Sequence, residues 1–280
     1  MKRHGAVRSS LATMVGTVAL FTAGVGLAVT VPPANGKFDY QLGGAYTPKA
    51  DVAIVDRDRT DAPATGKYNI CYINGFQTQP GETAWWKKNH PDLLVKKNGK
   101  YLEDPNWPGE LLFDTSTAAK RTALMQVVGP WIDGCAAAGF NAVEPDNLDS
   151  WTRSSGLLKR ANNVAFATLI AARAHEANLA VAQKNAPELS LQGYTKIGFD
   201  FAIAEECQVW SECEDYTDVY GKQVYEIEYN DVTEDADGNP VDPISFYNAA
   251  CKARGQNISV IYRDRAVTTD TGAGYVYKSC

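Results

Sequence analysis

The sequence predicts a (β/α)8 TIM-like barrel, irregular near its start and carrying a long loop insertion after the third strand. Three observations lead there. Eight short apolar or alternating runs recur along the chain. Amphipathic helical patterns fall between several of them, the order expected of parallel βαβ units. Residues 29–280, the part left after an N-terminal leader, number 252, close to the roughly 250 typical of such barrels.

The leader is the first element. Lys2, Arg3 and Arg8 precede an uncharged stretch from Ser9 to Gly36 made mostly of Ala, Val, Leu, Gly and Thr. A basic start, an apolar run and small residues at its end are the pattern of a secretory signal, with cleavage expected after Ala28. The alternative is an uncleaved N-terminal anchor, because Leu11 to Val31 spans 21 residues, enough to cross a bilayer. Either way, residues 29–280 are expected outside the cytoplasm as one domain.

The strands follow at Phe38–Leu42, Val52–Val55, Asn69–Ile73, Phe140–Glu144, Leu179–Gln183, Phe199–Ala204, Gln223–Glu228 and Ile258–Tyr262. The link from Val55 to Asn69 carries Asp56-Arg57-Asp58-Arg59 and is too short for a long helix, hence the irregular start. Residues 75–110, rich in Trp, Pro, Gly, Lys and Asn, form the insertion. Leu124, Val127, Val128, Trp131, Ile132 and Cys135 make one buried helical stripe, which Pro130 should bend or break. Ala161–Glu176 is a second helix with Val164, Leu169 and Ile170 to bury.

Composition narrows the function. With 45% hydrophobic and 21% charged residues, the chain is neither disordered nor a multi-span membrane protein. Without the leader it carries 24 basic against 33 acidic residues, and it has no basic block to neutralise phosphates, so nucleic acid is not an expected partner. A monomer is expected. Six cysteines in an exported chain read as disulfides. The preferred pairs are Cys207 with Cys213 across one short loop, Cys71 with Cys135 across a helix–sheet interface, and Cys251 with Cys280 at the C-terminus. Only His4, His90 and His175 occur, without metal-ligand spacing, and there is no Gly-x-Ser-x-Gly elbow. No metal and no cofactor are expected, and carboxylates must carry any chemistry.

Carboxylates and amides gather at the C-terminal ends of the strands, where barrels of this kind place their active sites. The fourth strand ends in Glu144-Pro145-Asp146-Asn147 and the fifth in Gln183-Lys184-Asn185. The sixth ends in Glu205-Glu206-Cys207 and the seventh in Glu226-Ile227-Glu228-Tyr229. The first strand adds Tyr40 and Gln41, the third Tyr72, Asn74 and Gly75. Like charges at one mouth repel unless a ligand or a reaction uses them. Glycoside hydrolysis uses such a set: one carboxyl group donates a proton while another attacks the sugar or activates water. Trp85, Trp86, Tyr101 and Trp107 in the insertion are candidate stacking platforms for sugar rings.

Glu144-Pro145-Asp146-Asn147 after Gly139–Val143, Lys184-Asn185 after Leu179–Gln183, and Glu205-x-Cys207 with Cys213 together resemble glycoside hydrolase family 114. Tyr225–Tyr229 and Ile258–Asp264 fit that family's last two strands. The resemblance runs over about residues 36–264. It implies an endo-α-1,4-polygalactosaminidase on a TIM barrel, acting on a galactosamine-rich, cationic polysaccharide. It also implies Asp146 as nucleophile or stabiliser and Glu205 as acid/base. Tyr40, Gln41, Tyr72, Glu144, Asn147, Lys184, Asn185, Glu206, Glu228 and Tyr229 are expected to line the subsite. The chain departs from the family at Ala204-Glu205-Glu206-Cys207, where the pattern is Asn-Glu-Gln-Cys. That departure motivates two competing readings: a barrel that binds cationic amino-sugar glycans without cutting them, and a hydrolase of a different α-linked glycan.

Two weaker motifs complete the inventory. Thr233–Gly238 resembles part of a calcium loop, but Ile244 falls where the bidentate ligand belongs, so a polar turn is expected. Asn257-Ile258-Ser259 is a glycosylation sequon in a host that glycosylates.

Overall fold

The computed structural model describes residues 29–280; the expected leader at 1–28 lies outside the described residues. Eight parallel strands form the barrel wall: β1 (Phe38–Tyr40), β2 (Ile54–Asp58), β3 (Tyr68–Ile73), then, past the insertion, β6 (Ala142–Pro145), β7 (Ala180–Lys184), β8 (Phe201–Glu205), β9 (Val224–Tyr229) and β10 (Ser259–Arg263). The insertion holds a short helix, α1 (Thr83–Asn89), and the two-residue strands β4 (Lys96–Lys97) and β5 (Lys100–Tyr101). A ninth strand, β11 (Tyr277–Ser279), runs antiparallel on β10. At the seam, the Tyr277 hydroxyl donates to the Phe38 carbonyl at 2.9 Å and Arg263 pairs with Asp39 at 3.2 Å.

The helices are α2 (Ala118–Ala138), α3 (Arg160–Glu176), the single turn α4 (Ser190–Gln192), α5 (Cys207–Trp210), α6 (Cys213–Tyr220) and α7 (Pro243–Arg254). Neither β1–β2 nor β2–β3 is bridged by a helix, so the start is irregular as expected. The Thr117 hydroxyl caps α2 through the Lys120 N–H and Gly139 ends it in the left-handed conformation. Pro130 does not end α2, which runs through it: the buried stripe of Leu124, Val128, Ile132 and Cys135 outweighs the one lost backbone bond. The second strand extends to Asp58, beyond the expected Val55, because Asp56 and Asp58 are strand residues pointing into the barrel rather than loop charges.

Strand alternation sorts the wall into two faces. Phe38, Ile54, Ile70, Ala142, Ala180, Ala182, Phe201, Ile203, Tyr225, Ile227 and Ile261 fill the barrel interior. Cys71, Ile73, Val143, Val181, Ala202, Ala204, Val224 and Val260 face the helices in a second, larger core. All three preferred disulfides are present: Cys71–Cys135 ties β3 to α2, Cys207–Cys213 clips α5 to α6, and Cys251–Cys280 ties α7 to the C-terminus. Three disulfides fit an oxidising compartment. No helix among the described residues is long and apolar enough to cross a membrane. The calcium-like segment is a turn in which Asp235 accepts from the backbone N–H groups of Asp237 and Asn239.

Candidate active site

The inward-facing residue at the top of each strand arrives at one mouth. Lys184 ends β7 and is almost fully buried. Its ammonium lies 2.8 Å from Glu144 Oε1, 3.3 Å from Asp146 Oδ1 and 3.4 Å from Glu205 Oε2, and it donates to the Tyr40 hydroxyl at 3.0 Å. Asp146 accepts from the Tyr72 hydroxyl at 2.9 Å. Glu205 accepts from the Asn185 amide at 2.9 Å and, through its other oxygen, from the Tyr229 hydroxyl. The residues just past three strand ends, Asn147, Asn185 and Glu206, all have φ between +50° and +64°. Such turns are tolerated by Asn and strained for Glu, and they swing the chain away so that the preceding side chain stands over the mouth.

Electrostatics separate the two pocket carboxylates. Burial pushes the Asp146 carboxyl up; Lys184 pulls it back, Glu205 and Glu144 add to the rise, and the net direction is upward. Burial also pushes on Glu205, but the Lys184 ammonium, the Tyr229 and Asn185 donors and the Arg265 guanidinium outweigh it and hold that carboxyl below its ordinary value. Burial alone would lower Lys184, yet Asp146, Glu144 and Glu205 raise it well above the ordinary lysine range, so it is a permanent cation. Burial raises Tyr72 and Tyr229, which keeps both as hydrogen-bond donors. Beneath them Asp56 is fully buried and neither of its oxygens has a partner among the described residues. Burial and then Glu144 raise Asp56 well above the carboxylate range. Glu144 Oε2 is likewise without a donor, and a protonated Asp56 beside it can supply one.

Above this cluster opens a pocket of about 550 Å³. Asp146, Glu205, Tyr40, Tyr72, Asn147, Lys184, Asn185 and Tyr229 all line it. Four residues expected there do not. Gln41 points away from the barrel axis and bonds Asp39 and Arg57. Glu228 lies on the helix-facing side of β9, where it accepts from the Gln208 N–H at 3.0 Å; strand alternation carries both off the mouth. Glu144 is one layer too deep. Glu206 is turned aside by its backbone and paired with Arg265. Of the aromatic residues in the insertion only Trp107 lines the pocket. Trp86 is a core residue against Phe113, Trp85 packs on His90, and Tyr101 receives Lys96 and Lys87 over its ring.

Sequence reasoning missed Asp58, Asp104, Glu110, Asp149, Arg153 and Arg265, which also line the pocket. Asp58 had a signal in its two-residue spacing from Asp56. The others sit on loops, or in Arg153's case on the single-turn helix Ser150–Arg153, whose path no periodicity reports. Among the described residues, Cys207, Cys213 and Glu226 are close enough to suggest a metal site, but both sulfurs are spent in a disulfide.

The model of glycoside hydrolase family GH114 matches residues 21–280. The chain belongs to family GH114. It is a glycoside hydrolase. Among solved structures, the chain is similar to Aspergillus fumigatus Ega3 in complex with galactosamine. Identity is 24% over 92% of this chain and 100% of that one, with a TM-score of 0.69. It is also similar to the glycoside hydrolase domain of PelA from Pseudomonas aeruginosa, with 12% identity over 86% of this chain and 97% of that one and a TM-score of 0.58. At these identities both likenesses show the fold. None of the curated proteins matches the chain in sequence. The two departures from the family pattern lie off the Lys184 cluster: Ala204 is buried against the helices and Glu206 is held by Arg265.

Proposed function

We propose that the protein is an exported, endo-acting hydrolase of α-1,4-linked, galactosamine-containing polysaccharide that uses Asp146 and Glu205. The observation that carries this reading is that both carboxylates stand on one buried ammonium, at 3.3 and 3.4 Å. Those two oxygens are therefore separated by no more than the two distances laid end to end. That favours the roughly 5–5.5 Å spacing of retaining enzymes over the wider gap that houses a water in inverting ones. The galactosamine in the Ega3 complex supports an amino-sugar substrate.

In this mechanism Asp146 attacks the anomeric carbon while Glu205 protonates the departing glycosidic oxygen. Glu205 then takes a proton from water, which hydrolyses the glycosyl ester and restores both groups. The protein's own groups favour the opposite proton placement, with Asp146 raised and Glu205 lowered. A bound galactosamine corrects it: its C2 ammonium lies beside the carbon that Asp146 attacks, and a cation there favours the ionised aspartate. The reversed assignment, Glu205 as nucleophile, is the second reading, and those same pKa directions favour it.

The test incubates residues 29–280, and the Asp146→Asn and Glu205→Gln versions, with partly deacetylated α-1,4-galactosaminogalactan and follows released oligosaccharides by mass spectrometry. Oligomers from the parent alone support the proposal. A parent that binds the polymer and releases nothing sinks it. Azide added with an activated aryl α-galactosaminide separates the roles, because the acid/base variant returns the α-azide and the nucleophile variant the β-azide.

A further inference from the structure

The pocket carries six carboxylates, and five of them have either a cationic partner or a donor on each oxygen. Asp146 and Glu205 hold Lys184. Asp104 and Asp149 are both ion-paired to Arg153, at 2.5 and 2.8 Å. Asp58 takes Gln79 on one oxygen and Thr60 on the other. Glu110 is different. It is 9% exposed, and its Oε2 accepts from the Asn74 and Gln77 amides, both at 2.9 Å. Among the described residues no donor and no cation meets its Oε1.

Glu110 is also rigidly placed. Its N–H donates to the Trp107 carbonyl at 3.1 Å and its own carbonyl accepts from Asp104 at 2.9 Å. Asn74, which donates to Glu110, accepts from Asn147 at 2.9 Å, so the carboxylate is tied to the turn that follows Asp146. A nearly buried carboxylate facing a pocket with no counter-ion is unfavourable as it stands. Burial, opposed by the two amides, pushes the Glu110 carboxyl up, and Asp146 and Asp104 add to the rise.

We propose that Glu110 is an ammonium-binding group: its free Oε1 takes the protonated amine of a sugar seated against Asp146. The assignment rests on reading the substrate as an amino-sugar polymer, and it makes Glu110 the residue that selects free amine over N-acetyl at that position. An ammonium offers a charge-assisted hydrogen bond, whereas an acetamide offers a neutral donor and extra bulk. Glutamine at this position keeps the carbonyl that Asn74 and Gln77 bond and puts an uncharged NH2 donor in place of Oε1, removing the charge and the free acceptor together.

The experiment compares the parent with Glu110→Gln on fully deacetylated and fully N-acetylated α-1,4-linked oligomers of equal length, with melting temperature as the folding control. A charged hydrogen bond of this kind corresponds to about 10- to 100-fold. Glu110→Gln should therefore lose about that factor in kcat/KM on the deacetylated oligomer, mainly through KM, and the ratio between the two substrates should collapse accordingly. A variant that keeps the parent's ratio overturns the proposal. Calorimetric titration with galactosamine gives an independent arm. If the parent cuts neither oligomer, the hydrolase reading fails by itself, and Glu110 is then judged by binding: loss of galactosamine affinity in the variant upholds it, equal affinity refutes it.

Discussion

Lys184→Met removes the one cation that three acidic side chains share. Its nitrogen lies within 3.4 Å of Glu144, Asp146 and Glu205, and their side chains are 0%, 20% and 25% exposed, so water replaces little of the lost attraction. Breaking a buried pair on one side typically destabilises by about 3–5 kcal/mol. For a chain of this size that corresponds to a fall in melting temperature of roughly 6–20 °C. The sign with pH is fixed. In the parent, the lowered Glu205 pKa contributes stability above its unfolded value, and that stability is lost as pH falls through the folded value. Without Lys184, burial dominates Asp146 and Glu205 and both resist ionisation, so the variant weakens as pH rises. The gap between parent and variant should therefore widen steadily from pH 4 to pH 7 in thermal melts followed by fluorescence. Activity should fall with it, by about 100-fold or more, because the two carboxylates lose their fixed spacing. A melting difference under about 2 °C, or one that does not change with pH, would refute the reasoning.

Three further perturbations probe the same cluster. Tyr229→Phe removes a donor that holds Glu205 down. It should lower kcat about tenfold and move the limb of the pH–rate profile governed by Glu205 to higher pH; an unmoved profile contradicts the role given to the hydroxyl. Asp56→Asn should leave kcat within about threefold of the parent because an amide can donate to Glu144 Oε2 as a protonated acid does, whereas Asp56→Ala should lower both melting temperature and kcat; equal loss in the two variants would show that Asp56 works as an anion. Glu228, buried beside Glu226, is pushed up to about 9. A raised carboxyl reduces stability as pH climbs from the unfolded value toward the folded one, so Glu228→Gln should melt above the parent by a margin that grows from pH 5 to pH 8. A constant margin would place Glu228 in a different environment.

The barrel was legible because most wall strands bury both faces, leaving apolar runs such as Leu179–Gln183 that few other elements produce. The site was legible where chemistry sits on a strand: Asp146, Lys184 and Glu205 are each the inward residue at a strand end. The errors share a cause. Gln41 and Glu228 sit one residue away from an inward position, and a one-residue change of face is invisible unless the strand's phase is known. Glu144 has the right face and the wrong depth. Asp56 and Asp58 looked like loop charges because buried acids inside a strand are rare. Glu110 and Arg265 come from loops, whose course is set by tertiary contacts rather than by any repeat in the sequence.

The most direct test of the central claim is the configuration of the first product. Parent enzyme acting on a deacetylated α-1,4-galactosamine oligomer should be followed by proton NMR within the first turnovers, before mutarotation. With Asp146 and Glu205 both on Lys184, the new reducing end should appear as the α-anomer. A β-anomer formed first would mean a water between the carboxylates, and would contradict the close pair on which the account rests.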